Sequence, residues 1–378
     1  MKIAILNLTG GGISGGHKSY IANIIPRLAA SDKIERILCA SPVSFKAETW
    51  IPASPKLALA VCEPFRFFSS APDSKFKVVL NAFRPDVVFV TMERHINYPG
   101  APIVTIVHNM APFVSITTTS GLREKIKSLA RRFDTGLAVN RASAVIAPTA
   151  FVRNALLDRF GVEREKITLI NFGHTPKASA KPPTGEIKQL LSSGFIFTAG
   201  SFEVYRGYED LLVAFAEVKK SFPNIKMAIA GVVRSATLGY KMKMQSLAAS
   251  LGLLNDVLWL GYIPHEELGW YYSHCSAFAL TSRVESFCFV ALEALAHGCN
   301  CISTDSPCLP EIMADASLYY KAGDAKGLGR GLLEILARDN SARERALQRA
   351  MGRAAEFSWD KAARETIDVF LKAAGSGG

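Results

Sequence analysis

The sequence predicts an α/β protein of two doubly wound domains, each a parallel sheet with helices on both faces. Three observations predict it. Short apolar runs alternate with helical segments along the chain, and strands that are apolar throughout are strands buried on both faces. The alternation pauses at TPKASAKPPTGE, residues 175–186, rich in Pro, Lys and small residues, and then restarts, as a linker between domains would make it do. The chain has 378 residues, 49% of them apolar, which is long for one core and comfortable for two.

The elements follow in order. KIAILNL (2–8) reads as a first strand, SYIANIIPRLAA (19–30) as a helix and RILCAS (36–41) as a second strand. KFKVVLNAF (75–83) is helical, and DVVFVT (86–91), PIVTIVHN (102–109) and SAVIAPT (143–149) are further short strands. KITLINFGH (166–174) closes the first half. After the linker, GFIFTAG (194–200), IKMAIAGV (225–232), DVLWLGY (256–262), AFALTS (277–282) and CNCISTD (299–305) read as strands. Helices over 208–222 and 240–253 fall between them. The stretch 341–374 is helical with a break near Phe357–Trp359, and the closing GSGG reads as a flexible tail.

Bulk properties narrow the function. The apolar start, MKIAIL, is too short for a secretory signal, and no run approaches the roughly 18 apolar residues of a membrane span. Seven cysteines show no C-x-x-C spacing, so reduced cytosolic thiols fit better than a metal site or disulfides. The net charge of +11 is one-sided: residues 1–180 carry 23 Lys/Arg against 12 Asp/Glu, and residues 181–378 carry 21 of each. The first half therefore suits an anionic partner, whether a membrane surface, a phospholipid-linked substrate or a nucleic acid, although solubility alone would account for it equally well.

Two motifs carry chemistry. In TGGGISGGHKSY (9–20), Gly10-x-Gly12-x-x-Gly15 matches a dinucleotide fingerprint in form. The second strand, however, ends Cys39-Ala40-Ser41 and lacks the acidic residue that would hold a ribose. A simpler reading uses Gly15 and Gly16 at the start of a helix, where amides with no Cβ in the way let a phosphate approach; a plain tight turn competes with it. In VESFCFVALEALAHGC (284–299), Glu285 falls on the loop after a strand, and the amides of Cys288, Phe289 and Val290 open a helix that ends at Gly298. Glu293 lies about one turn in. That spacing suits one carboxylate at each end of a nucleotide-sugar, with its diphosphate on the helix N-terminus. The bland alternative makes Glu285 a helix-dipole partner and Glu293 a surface residue.

The run SRVESFCFVALEALAHGCNCISTDSPCLPEI resembles the signature of the retaining GT-B glycosyltransferases of the fourth family, an E-x₇-E motif followed by a small-residue helix, a strand and a Pro-Glu turn. The resemblance extends over nearly the whole chain, through the glycine pair, IVHN, FVRNALLDRFGVEREKITLINFGH, GSFEVYRGYEDLLVAF, LGYIPHEEL and FSWDKAARETIDVF. It implies a GT-B fold. Residues 1–174 would form an acceptor-side Rossmann-like domain and 175–356 a nucleotide-sugar-binding one, the two facing across a cleft. Residues 357–378 would be a helix crossing back to the first domain, with Trp359 marking the crossover.

The resemblance also implies roles. Glu285 would contact donor-sugar hydroxyls and Glu293 the nucleotide ribose. Arg206, before Gly207, stands where the family usually has a Lys that holds the diphosphate, and Arg keeps both charge and phosphate-matched geometry. Ser201 follows Gly200 where a second Arg is frequent, so one phosphate cation is missing, with Arg283 or Lys18 as candidate replacements. His108 would face the donor sugar. His17, Asn109 and Ser306 fall in predicted loops without an assigned role. Cys288 stands where the common E-G-F-G pattern has its second glycine. No Asp-x-Asp occurs in the chain, so the leaving diphosphate is expected to be neutralised by Arg206 and backbone amides without a metal or other cofactor. The donor is expected to be a UDP- or GDP-sugar and the acceptor a glycan or lipid-linked sugar, in bacterial cell-surface polysaccharide or glycolipid synthesis.

In GLREKIKSLARRFDTGLAVNRA (121–142), Leu122, Ile126, Leu129, Phe133 and Leu137 recur at helical spacing among Arg123, Lys125, Lys127, Arg131 and Arg132. The pattern suits a helix on an anionic lipid surface. It suits equally a helix packed on its own domain, the plainer account of the stripe. Pro64-Phe65-Arg66-Phe67-Phe68 adds a second candidate lipid contact. The protein is thus expected in the cytoplasm, at the inner face of the plasma membrane, with no nucleic-acid partner. Two rivals stand beside the transferase: a sugar-nucleotide epimerase on the same fold, and a non-catalytic basic module that binds membranes or nucleic acid.

Overall fold

The computed structural model describes residues 1–8, 15–64, 73–110, 122–175, 182–183 and 188–375. The chain divides into two compact units, Met1–Gly173 with Ser358–Gly378, and His174–Phe357.

The first unit runs β1 (Lys2–Leu6), α1 (Gly15–Ala30), β2 (Arg36–Ser41), β3 (Leu57–Val61), α2 (Ser74–Phe83), β4 (Val87–Val90), β5 (Ile103–Ile106), α3 (Leu122–Arg141), β6 (Ala144–Ala147), α4 (Ala150–Phe160) and β7 (Ile167–Leu169). The strands form one sheet in the order β3-β2-β1-β4-β5-β6-β7, parallel at every pairing. The central strands are buried from end to end, as their continuous apolar runs require. β3 was not foreseen. It is an edge strand, LALAV, apolar throughout but partly exposed, and a short run of Leu and Ala suits a helix as readily as a strand.

The second unit runs α5 (Lys188–Ser193), β8 (Phe195–Ala199), α6 (Tyr208–Ser221), β9 (Lys226–Ala230), α7 (Leu238–Ser250), β10 (Val257–Gly261), α8 (His265–His274), β11 (Ala277–Leu280), α9 (Phe289–Ala296), β12 (Cys301–Thr304), α10 (Cys308–Met313), β13 (Ser317–Tyr320), α11 (Ala325–Leu336) and α12 (Asn340–Ala355). Its parallel sheet has the order β10-β9-β8-β11-β12-β13. The order reverses between β8 and β11, the switch point at which open α/β sheets hold ligands outside their carboxyl edge. Asp324 and Asp339 cap α11 and α12, accepting from Gly327 N at 2.9 Å and Ala342 N at 2.7 Å, each worth about 1 kcal/mol.

The last helix, α13 (Trp359–Gly375), belongs to the first unit. Its apolar face supplies fully buried Trp359 and Phe370, with Phe370 against Phe89 at 5.1 Å between ring centroids. Gly173 is required here: a Cβ on it would lie 2.1 Å from the Trp359 amide nitrogen. The exposed pairs Arg27–Asp360 (2.7 Å) and Lys33–Asp368 (3.2 Å) join the helix to the rest of the unit, but exposed pairs contribute at most about 1 kcal/mol each and the aromatic burial dominates.

The stripe on α3 departs from the plainer expectation. Ile126, Leu129 and Phe133 are 58%, 63% and 64% exposed, so they are not packed into their own sheet. The hydrophobic face toward the sheet begins instead with residues such as Ala138 and Val139, which are buried. Phe65, Phe67 and Phe68 lie outside the described residues, as does most of the 175–186 stretch.

Candidate active site

Arg206 ends a short 3₁₀ turn, Val204–Arg206, just after β8, and Glu285 sits between β11 and α9. They therefore flank the switch point of the second sheet. The structure brings them together as an ion pair, and the same Nη1 donates to Ser282 Oγ at 2.9 Å. Both side chains are largely buried. Arg206 Nε is buried with no hydrogen-bond partner among the described residues. A guanidinium N–H left unpaired in a buried place is a costly arrangement.

The loop around the pair is braced from below. Ser282 is fully buried, and its carbonyl accepts from Thr304 Oγ1 at 2.6 Å and Ser306 Oγ at 3.1 Å. Arg283 N donates to Tyr205 O at 2.8 Å, tying the two loops together. Gly207 has φ 62°, and a Cβ there would lie 2.7 Å from Thr281 O. Only glycine fits beside that carbonyl in the left-handed region. Arg283 pairs with Glu209 at 3.0 Å and with Asp210 at 3.1 Å. It thus braces the loop through two carboxylates. Lys18, the other candidate, lies over the Trp50 ring at 5.4 Å in the first unit.

Cys288 is the N-cap of α9, with the helix proper starting at Phe289. Its φ of 70° and ψ of 76° are left-handed. The site thus needs the backbone that glycine adopts freely, and Cys288 holds it at a cost of roughly 1–2 kcal/mol. Phe289 and Val290 form the first turn, whose amides have no carbonyl of their own helix to bond. Glu293, half-buried one turn along, accepts from Tyr272 Oη at 3.1 Å.

His108 follows β5 in the first unit. The carboxylate of Glu93 accepts from the backbone amides of both His108 and Asn109, the latter at 2.7 Å. The imidazole lies among the rings of Tyr20 (4.8 Å), His17 (5.2 Å) and Phe172 (5.2 Å). Burial, and then the neighbouring His17, hold its pKa well below the ordinary histidine value. Burial likewise lowers His17 to about 4, against a hydrogen bond to Thr91 that works the other way. Both rings are therefore neutral at pH 7. His17 is not in a loop, as expected, but buried inside α1 with Nε2 3.1 Å from Thr91 Oγ1. Gly15 begins α1, and a Cβ there would meet nothing within 4 Å; Gly16 follows it in the first turn. Gly10 and Gly12 lie outside the described residues.

Two family models match this chain, that of Glycosyl transferases group 1 over residues 187–355 and that of Glycosyltransferase Family 4 over residues 14–175. Together they span most of it. The chain belongs to the group 1, family 4 type glycosyltransferases. Among curated relatives, this chain is 24% identical over 256 residues to an O-antigen chain mannosyltransferase B of Escherichia coli, covering 62% of this chain and 61% of that one. It is 27% identical over 289 residues to a D-inositol 3-phosphate glycosyltransferase of Streptomyces avermitilis, covering 72% and 61%. The chain thus spans about three-fifths of the length of these relatives. Among solved structures, HepE of Anabaena in complex with UDP and glucose aligns with a TM-score of 0.76 at 18% identity, over 98% of this chain and 100% of that one. Sucrose-phosphate synthase of Thermosynechococcus elongatus aligns at 0.77 and 19%, over 99% of each chain. Both establish the GT-B fold for this chain.

Sequence reasoning missed Glu93, Tyr272 and Ser282. Glu93 sits in TMERHIN, a polar stretch directly after a buried strand, and that position was its one available signal. Tyr272 lies in an aromatic helix, GWYYSH, where nothing separates a functional ring from a core ring.

Proposed function

We propose that the protein is a retaining, metal-independent hexosyltransferase that moves a sugar from a UDP- or GDP-linked donor to a glycan or lipid-linked acceptor in cell-surface polysaccharide or glycolipid synthesis. The observation that carries the reading is the Arg206–Glu285 pair at the switch point, with a buried Arg206 Nε left without a partner. Departure of a nucleoside diphosphate concentrates negative charge on phosphate oxygens, and a preorganised cation beside a helix N-terminus meets it without reorganisation. On donor binding the phosphates would compete with Glu285 for Arg206 and release the carboxylate toward the sugar hydroxyls. Glu293 takes the ribose. Gly15, with open space where a Cβ would stand, and Gly16 take a phosphate oxygen on backbone amides. His108, neutral at pH 7, serves as a hydrogen-bonding partner of the sugar and not as a cation. Attack from the face that the diphosphate leaves retains the anomeric configuration.

The relatives support a sugar donor of this kind, since the neighbouring HepE structure holds UDP and glucose. The exposed Ile126, Leu129 and Phe133, with exposed Arg131 and Arg132 beside them, support a membrane-facing first unit. Among the described residues no helix is long and apolar enough to cross a membrane, so association would be peripheral. A panel of sugar nucleotides, scored for released nucleotide with and without membrane extract and with EDTA, tests the activity. Acceptor-dependent release that survives EDTA is expected. Isomerised donor in the absence of acceptor would replace the transferase by an epimerase, and loss of turnover in EDTA would remove the metal-independent scheme. Sedimentation with anionic vesicles at low salt tests the surface; a protein that stays in the supernatant has no such membrane role.

A further inference from the structure

Tyr272 is an almost inaccessible group that still offers a polar atom to the proposed donor site. It is 1% exposed, on α8, and its hydroxyl donates to Glu293 Oε2 at 3.1 Å. Its ring is held on three sides, by Phe197 (5.3 Å between centroids), Phe278 (5.5 Å) and the stacked imidazole of His297 (5.3 Å). Its carbonyl accepts from the thiols of Cys275 at 3.3 Å and Cys299 at 3.1 Å. Burial first, and then the Glu293 carboxylate, keep the phenol protonated far above its ordinary range, so it acts as the donor. Glu293 is gripped at its other end too: its backbone carbonyl accepts from His297 Nδ1 at 2.8 Å, which leaves that nitrogen carrying the proton.

We propose that Tyr272 is a positioning residue that selects one rotamer of Glu293 and presents its carboxylate to the ribose of the donor nucleotide. This rests on the reading of Glu293 as the ribose ligand. The physical case is one of preorganisation. A glutamate is among the side chains that lose the most rotamer freedom when immobilised, and a ligand that had to fix it would bind correspondingly less well. A phenol locked among three rings fixes it in advance. A carboxylate accepts about four hydrogen bonds, so one from Tyr272 does not saturate it.

The test compares UDP and GDP with their 2′-deoxy forms by calorimetric titration of the full chain, on the parent protein and on Tyr272→Phe, Glu293→Ala and the double variant. The parent is expected to prefer the ribonucleotide roughly tenfold or more, as one charged hydrogen bond allows. Glu293→Ala loses that preference. Tyr272→Phe loses most of it, and adds nothing in the Glu293→Ala background. The preference is a ratio measured on one folded sample, so lost stability alone does not move it. If Tyr272→Phe weakens ribo and deoxy forms equally, or weakens the Glu293→Ala variant further, Tyr272 is a packing residue and the proposal is overturned while Glu293 keeps its role. If Glu293→Ala leaves the preference intact, or neither nucleotide binds the parent protein, the ribose reading falls and takes the proposal with it.

Discussion

The two sheets end in opposite chemistry. At the carboxyl edge of the second, Arg206 and Glu285 are held as a largely buried charged pair on a loop braced by Ser282, Thr304, Ser306 and Arg283. At the edge of the first, His108 is kept neutral among Tyr20, His17 and Phe172. The architecture is the same and the surroundings decide. Carboxylates and hydroxyls around Arg206 preserve its charge, whereas rings around His108 exclude water and favour the uncharged form. A charge that must meet a diphosphate belongs to the first kind of environment, and a group that only hydrogen-bonds belongs to the second.

The sharpest way to break this contrast is Arg206→Ala. Turnover is expected to fall by roughly 10²–10³, the usual loss for one preorganised donor to an anion, with Arg206→Lys recovering part of it. Steady-state rates set against thermal unfolding decide the matter, since equal damage to both would make the pair structural.

The next effect is on the first unit's pH dependence. The folded pKa of His17 is about 4 and that of His108 is also lowered by burial, while the unfolded value is near 6.5. The unfolded chain therefore binds more protons in between. Stability is complete above about pH 6.5 and is lost as pH falls toward the folded values, at up to about 1.4 kcal/mol per pH unit for each histidine. Denaturant titrations from pH 7.5 to 4.5 should show that slope, and His17→Asn with His108→Asn should flatten it. An unchanged slope would mean that these rings are not the neutral, buried groups described.

The smallest effect concerns the strained cap. Cys288→Ala keeps the left-handed strain and loses the buried thiol, whereas Cys288→Gly loses both. Glycine is expected to be at least as stable as alanine, by up to about 1 kcal/mol, because the strain relieved outweighs the extra backbone freedom of the unfolded chain. Chemical denaturation measures the difference; a glycine variant clearly below alanine would show that the backbone at 288 is not strained.

Much of this molecule was legible in its sequence. The two parallel sheets could be read because doubly buried strands write themselves as continuous apolar runs. Edge strands β3 and β13 could not: the Leu and Ala of LALAV suit a helix as readily as a strand, and in SLYY only the last residue is buried. Glu285 and Cys288 were named from their place in one motif, and Arg206 only through the family resemblance. Glu93 and Tyr272 were not, because no motif marks either residue and their pairings exist only after the sheets have closed. On α3 the sequence set the spacing of Ile126, Leu129 and Phe133, and only the packed fold decided that this face points away from its own core. By itself the sequence determined periodicity, charge placement and the family's motifs, all of which are local. The tertiary structure decided which charges are paired, which rings shut out water and which backbone is strained, because those depend on neighbours that the linear order does not name.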